Sequence, residues 1–216
     1  MGIIEHATKN VNRGRGLLTS GAITVMILFL FSCGESDNTA KSLNIAVAAN
    51  MQFAMDSIAK VYEAKQGVKL NLSHSSSGML TSQIIEGAPF DAFVSANLSY
   101  PKKLEEEGFA TSIETYAFGR LVLVYSVAGD FKDVEAVLLS ADIKRIGVAN
   151  KVTAPYGIAS LEYLTHINQS RFKDKIVFGE SIGQVNQYLK TGAVEAAFTS
   201  NSFISKFGNE YKYLFV

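Results

Sequence analysis

From residue 42 onward, short runs of β-branched and aliphatic residues alternate with longer stretches whose apolar residues fall at helical spacing. Small polar residues occupy the changeovers. This alternation restricts the fold to an α/β class in which mainly parallel sheets carry helices on their faces, and ligands of such sheets sit outside the carboxyl ends of the strands. The first unit reads as a strand from Leu43 to Ala49 and a helix from Met51 to about Lys65, with Met55, Ile58, Ala59 and Tyr62 on one face. Asn50 stands between them as a candidate helix cap, and Gly67 supplies the stop.

The pattern then repeats. A strand from Val68 to Leu72, a turn from Ser73 to Gly78 and a helix from Met79 to Glu86 lead through Gly87-Ala88-Pro89 to a strand from Asp91 to Ser95. The long β-branched and aromatic run from Phe118 to Val127 is expected to pass between two sets of units as a hinge strand. Beyond it come a strand from Arg145 to Ala149, a loop from Asn150 to Ala154, and a helix opened by Pro155 with Ile158, Leu161, Leu164 and Ile167 on one face. A strand from Lys175 to Phe178 precedes a helix carrying Ile182, Val185 and Leu189 and stopped by Gly192. The strand from Val194 to Phe198 gives way to Thr199-Ser200-Asn201-Ser202, and Tyr211 to Val216 closes as another strand. With 216 residues, 48% of them hydrophobic, the chain can bury one sizeable core or two smaller ones joined by a hinge.

The N-terminus has a different character. Lys9, Arg13 and Arg15 precede a mostly apolar run from Leu17 to Phe31, which ends in Leu30-Phe31-Ser32-Cys33. Basic region, apolar region and small-residue cleavage site, in that order, read as an export signal over residues 1–33. Thr19, Ser20, Gly21 and Thr24 interrupt the run, which disfavours a permanent membrane span. Cys33 is the sole cysteine, so no internal disulfide can form, and it sits where a lipobox would place a lipid-bearing thiol. Residues 34–41 are small and polar and read as a flexible tether. The expected location is therefore the periplasm or outer face of the membrane, with a lipid anchor at Cys33.

Charge narrows the partners. Lys plus Arg and Asp plus Glu number 20 each over the whole chain, and 17 against 19 after Cys33, so there is no basic field for nucleic acid. A mildly acidic domain cannot attract an anion by bulk charge either. The junctions offer something else: Asn50; Ser75, Ser76, Ser77 and Gly78; Thr153, Tyr156 and Gly157; Ser181; and Ser200, Asn201 and Ser202. Helix N-termini present unsatisfied N–H groups and the positive end of a dipole, and hydroxyls add donors, so several converging on one cleft can hold an anion without Lys or Arg. A fully deprotonated oxyanion needs donors alone, whereas monoprotonated phosphate also wants an acceptor. Glu180 and Asp91 lie near junctions, and each can serve as cap, hinge contact or acceptor.

Catalytic alternatives fare poorly. Gly179-Glu180-Ser181-Ile182-Gly183 spells the G-x-S-x-G of a serine hydrolase between a strand and a helix, but no His follows Ser181, and His74 and His166 precede it. Nucleotide and dinucleotide phosphate loops are missing from the sequence, and one cysteine with three histidines assembles no zinc-type cluster. Neither an enzyme nor a cofactor or protein-held metal is expected.

From about Leu43 to the C-terminus the residues resemble the periplasmic molybdate-binding proteins of ABC transporters, the ModA-like solute-binding family. The motifs carrying the likeness are Ala48-Ala49-Asn50, Ser76-Ser77-Gly78-Met79-Leu80, Gln83-Ile84, and Glu86 through Ala96, which reads EGAPFDAFVSA. They continue with Phe118-Gly119-Arg120-Leu121-Val122-Leu123, Thr153-Ala154-Pro155-Tyr156-Gly157 and Gly179-Glu180-Ser181-Ile182. The resemblance implies a two-lobed periplasmic-binding-protein fold of class II, with residues 42–117 as first lobe and 118–216 as hinge strand and second lobe. It implies capture of molybdate or tungstate by Asn50 and Ser77 from the first lobe and by backbone N–H groups of Tyr156 and Ile182 from the second. Ser76 joins the candidate set beside Ser77. The family's fifth contact falls at Phe198, which lacks a hydroxyl and leaves Thr199 or Ser200 as substitutes; Ser200 is the candidate retained. An ABC permease with a separate ATPase is the implied partner, the protein itself acting as a monomer. Sulfate, phosphate or a small carboxylate are the alternative ligands. Similar proteins continue past the point matching Val216, so a final return to the first lobe is expected to be missing.

Overall fold

A computed structural model describes residues 2–3 and 41–216. Apart from Gly2–Ile3, the expected export signal with Cys33, and residues 34–40 of the tether, lie outside the described residues. The elements run β1 (Gly2–Ile3), β2 (Ser42–Ala48), α1 (Gln52–Gln66), β3 (Lys69–Ser75), α2 (Ser77–Ile85), β4 (Ala92–Val94), α3 (Ser99–Glu106) and β5 (Glu114–Thr115). They continue as β6 (Leu121–Tyr125), α4 (Val134–Leu139), β7 (Ile146–Ala149), α5 (Pro155–His166), β8 (Ile176–Gly179), α6 (Ile182–Lys190), β9 (Ala196–Ser200), α7 (Asn201–Phe207) and β10 (Lys212–Phe215).

Two sheets divide the molecule. The first lobe is built on a wholly parallel sheet in the order β3-β2-β4, with Ile45 facing Leu72 on one neighbour and Ala92 on the other. Its core gathers Ala46, Leu80, Ile84, Phe93 and Leu104 on one face and Ile45, Val47 and Val94 on the other. The second lobe holds five strands in the order β10-β6-β9-β7-β8. There β7 runs parallel to β8 and β9, while β6 is antiparallel to β9 and β10. A separate two-residue ladder pairs β1 with β5.

The run expected as a hinge strand enters the second sheet: Leu121–Tyr125 is paired on both sides, and Val122, Leu123 and Val124 are fully buried. The chain crosses between lobes just before it, from Tyr116, packed on the first-lobe core, to Leu121. A second tie is α7, which follows β9 and stacks back on the first lobe, where Phe207 meets Phe53 edge-on at 5.3 Å between centroids. Core contacts continue across the junction, because Ala49 and Phe53 pack with Val122, Tyr156, Ile182 and Phe203.

Two strands reach further toward their carboxyl ends than their apolar residues suggest. β3 extends through Ser73, His74 and Ser75, which the sequence assigns to a turn, since pairing along β2 continues to Ala48 opposite Ser75. β9 likewise takes in Thr199 and Ser200, which face Val122 and Leu121. On α1, Ala59 is buried but Ile58 and Tyr62 remain 49% and 39% exposed, because a three-stranded sheet is too narrow to cover the whole apolar face.

Candidate functional site

Three helices begin at the face between the lobes, each fed by the carboxyl end of a strand or loop: α2 at Ser77 after β3, α5 at Pro155 after β7, and α6 at Ile182 after β8. Together with the turn after β2 they enclose one small cavity lined by Ala48, Ala49, Asn50, Ser76, Ser77, Ala96, Ala154, Pro155, Tyr156 and Ile182. About 10 Å³ of it is open to the centre of a water-sized sphere. Five of the six candidate ligand residues, Asn50, Ser76, Ser77, Tyr156 and Ile182, therefore meet around one space.

Ser200 is not among the lining residues. It is buried at the end of β9, shares a 2.6 Å hydrogen bond with the Ser202 hydroxyl, and Ser202 in turn donates to the carbonyl of Asn50. Its neighbours are committed elsewhere too. Thr199 donates to Asn186 Oδ1 at 2.6 Å, and Phe198 is core, tilted against Tyr163. Ser200 thus touches the site through Ser202 and the backbone of residue 50.

Asn50 does not cap α1, contrary to expectation; the cap position is Met51, without a side-chain bond, and Asn50 lies in a short 3₁₀ turn over Ala49–Met51. There it is buried, and its side chain hydrogen-bonds the Tyr156 hydroxyl. Burial pushes the Tyr156 phenol up to about 12, with the Asn50 hydrogen bond opposing. Tyr156 therefore brings a protonated hydroxyl to the site in addition to its backbone. Ser77 is 0% exposed; its Oγ accepts the N–H of Ala96 at 3.0 Å, and Thr81 holds its carbonyl at 2.8 Å. Ser76 donates across the cleft to Thr153 Oγ1 at 3.1 Å.

Among the described residues lining the cavity, none carries a charged side chain. The two carboxylates left open by the sequence face other duties. Asp91 accepts the N–H of Asn44 at 2.7 Å, at the amino end of β2 and so away from the cleft. Glu180 is exposed and accepts from Asn150 at 3.3 Å. Ser181 caps α6, its hydroxyl oxygen taking the N–H of Gln184 at 3.4 Å. His74 pairs with Asp56 at 3.1 Å on the far edge strand. Among the described residues no group of three His, Cys, Asp or Glu could hold a metal ion.

Gly157 makes the second-lobe half of the site possible. A Cβ there would lie 2.4 Å from the carbonyl oxygens of Ala149 and Asn150, so only glycine lets α5 start this close to β7. Sequence reasoning missed Ala96 and Ala154 as lining residues, since an alanine contributes backbone and carries no side-chain signal. A wider cavity of about 360 Å³ adjoins through Ala96, Pro155 and Tyr156 and is also lined by Asn97, Gly119, Leu121 and Glu162.

The pattern of the bacterial extracellular solute-binding proteins matches residues 43–214. The chain belongs to that family. Within the solute-binding family it is 40% identical over 172 residues to the molybdate-binding protein of Azotobacter vinelandii, covering 78% of this chain and 68% of the relative. It is 32% identical over 197 residues to a putative ABC transporter substrate-binding lipoprotein of Bacillus subtilis, covering 85% and 75%. The solved periplasmic molybdate-binding protein of Azotobacter vinelandii superposes with a TM-score of 0.67 at 32% identity, over 73% of this chain and 71% of that one. The solute-binding family is one of binding proteins rather than enzymes. No described helix is long and apolar enough to cross a membrane.

Proposed function

We propose that this chain captures molybdate, or its congener tungstate, in the cavity between its lobes and delivers it to an ABC importer. The observation that carries the reading is the convergence of the N-termini of α2, α5 and α6 on a space lined by neutral residues. First-turn N–H groups lack intrahelical partners and carry the positive end of the helix dipole, so they favour an anion. Ser77 and Tyr156 add hydroxyl donors, Asn50 an amide and Ile182 its backbone N–H. Ser77 takes the Ala96 N–H on its oxygen, which leaves its own proton to point at an anion. Ser76 borders the ion and Ser200 supports Asn50 through Ser202.

A cavity without a carboxylate acceptor suits a fully deprotonated oxyanion over monoprotonated phosphate. The Azotobacter relatives named for molybdate support this choice of ion. No resident cofactor is needed, since the ion is cargo. The Bacillus relative, named as an ABC substrate-binding lipoprotein, supports delivery to a permease with a separate ATPase and a lipid anchor at Cys33 on the outer side of the membrane. The protein acts as a monomer.

Thermal unfolding of the full chain in separate solutions of molybdate, tungstate, sulfate and phosphate tests the reading. A ligand at a hundredfold its Kd stabilises by about 2.7 kcal/mol. Molybdate and tungstate raise the midpoint and phosphate does not; a rise with sulfate alone assigns the site to sulfate, and no rise with any of them removes the oxyanion.

A further inference from the structure

We propose that residues 76–78 and Tyr100 of the first lobe and residues 152–153 of the second form a latch that holds the lobes shut over the cavity, with Gly78 as its positioning residue. Its effect on ion binding rests on the function proposed above; its geometry does not.

Three hydrogen bonds cross the cleft here. The N–H of Gly78 donates to the carbonyl of Thr153 at 2.8 Å, Ser76 Oγ donates to Thr153 Oγ1 at 3.1 Å, and the Tyr100 hydroxyl donates to the carbonyl of Val152 at 3.1 Å. Val152 is 67% exposed, so the contact lies at the surface rim. The receiving loop is held ready by Asn150, whose Oδ1 accepts the N–H groups of both Val152 and Thr153 at 2.9 and 3.1 Å. With both N–H groups held there, the carbonyls of the same two residues accept from the first lobe. On the first lobe, the Gly78 N–H is a first-turn donor of α2 with no intrahelical acceptor, and it is spent on the opposite lobe.

Gly78 is required by this closeness. A Cβ there would stand 2.8 Å from Thr153 Cα, 2.9 Å from its carbonyl oxygen and 2.8 Å from the Tyr100 hydroxyl. All three atoms belong to the latch, so a side chain at residue 78 wedges the lobes apart. The latch also adjoins the cavity in sequence on both sides: Ser76 and Ser77 line it from one lobe, and Ala154, Pro155 and Tyr156 follow directly after Thr153 on the other. Any widening at the rim is thereby passed to the groups around the ion, and an enclosed ion leaves when the latch opens.

The test uses the full chain with Cys33→Ser, carrying spin labels at Lys102→Cys on α3 and Lys173→Cys in the second lobe, both exposed positions. Interlobe distances are recorded by pulsed electron paramagnetic resonance without any oxyanion, for the parent, Gly78→Ala and Tyr100→Phe. Gly78→Ala shifts the distribution to longer distances, and Tyr100→Phe, which adds no atom and removes one bond, broadens it. Molybdate dissociation from Gly78→Ala is faster by about tenfold or more while association changes by less than about threefold. Identical distances in Tyr100→Phe and in folded Gly78→Ala, with unchanged dissociation, overturn the latch. A parent that binds no oxyanion overturns the proposed function, and the distances still decide the latch.

Discussion

The hydroxyl oxygen of Ser77 accepts the backbone N–H of Ala96 at 3.0 Å, joining the first turn of α2 to the loop after β4. One lone pair is thereby fixed and the proton is aimed elsewhere. Ser77→Ala removes a donor from the ion and an acceptor from Ala96. Molybdate binding should weaken by about 1–3 kcal/mol, the usual cost of leaving a charged acceptor one donor short. Calorimetry of the variant checks this, and an unchanged affinity removes Ser77 from the site.

Tyr156 ties its chemistry to pH. Burial first, opposed by the Asn50 hydrogen bond, sets its phenol at about 12 against an ordinary value of 10.0. The folded state thus holds this proton more tightly than the unfolded chain. Its contribution to stability is complete below pH 10 and is lost as pH rises toward 12. Ultraviolet titration of the folded protein should show one fewer late phenolate in Tyr156→Phe, with that of Tyr116, which burial pushes up further, remaining. The same variant, lacking the hydroxyl donor, should bind molybdate more weakly at neutral pH.

Gly157→Ala places a Cβ 2.4 Å from two backbone carbonyl oxygens. Backbone cannot yield as a flexible side chain does, so the helix must move off β7, at a cost on the order of 1–3 kcal/mol or more. Urea denaturation should show the loss, and molybdate affinity should fall with it because Tyr156 is the neighbouring residue.

Glu195 binds the start of β7 to the loop before β9. Burial pushes its carboxyl up, but the side-chain and backbone hydrogen bonds of Arg145, its charge, and the Lys144 N–H together hold it below 4.5. A depressed carboxyl contributes stability above its unfolded value, and that contribution fades as pH falls through the folded one. Glu195→Gln should therefore unfold more readily at neutral pH, and its stability should decline less between neutral and acid pH. Parallel declines in both proteins would count against this role.

Where local chemistry decides an element, the sequence shows it. Pro155 opens α5, Ser181 caps α6, and Gly67 and Gly192 take the left-handed stops at φ 65° and 71°. Junction chemistry singles out Asn50, Ser76, Ser77 and Tyr156 for the same reason, whereas Ile182 enters only through the family resemblance. Asn50 reads as a cap because such a junction favours one, yet its side chain is held by Tyr156. Elements held by distant partners were hidden. Asn201-Ser202 reads as a junction with no helix assigned after it, but α7 begins there, because Phe203 and Phe207 find an aromatic cluster with Phe53 and Tyr211. On α3, Lys102 and Lys103 are exposed while Leu104 beside them is buried. Ser200 reads as lying beyond its strand, but β9 spans Ala196–Ser200 rather than Val194 to Phe198, and this two-residue shift draws it into the sheet.

The most direct test of the central claim is calorimetric titration of the full chain with molybdate, tungstate, sulfate and phosphate. The neutral cavity between the lobes predicts saturable 1:1 binding of molybdate and tungstate, with phosphate unbound. A folded chain that takes up phosphate in preference, or no oxyanion at all, contradicts it.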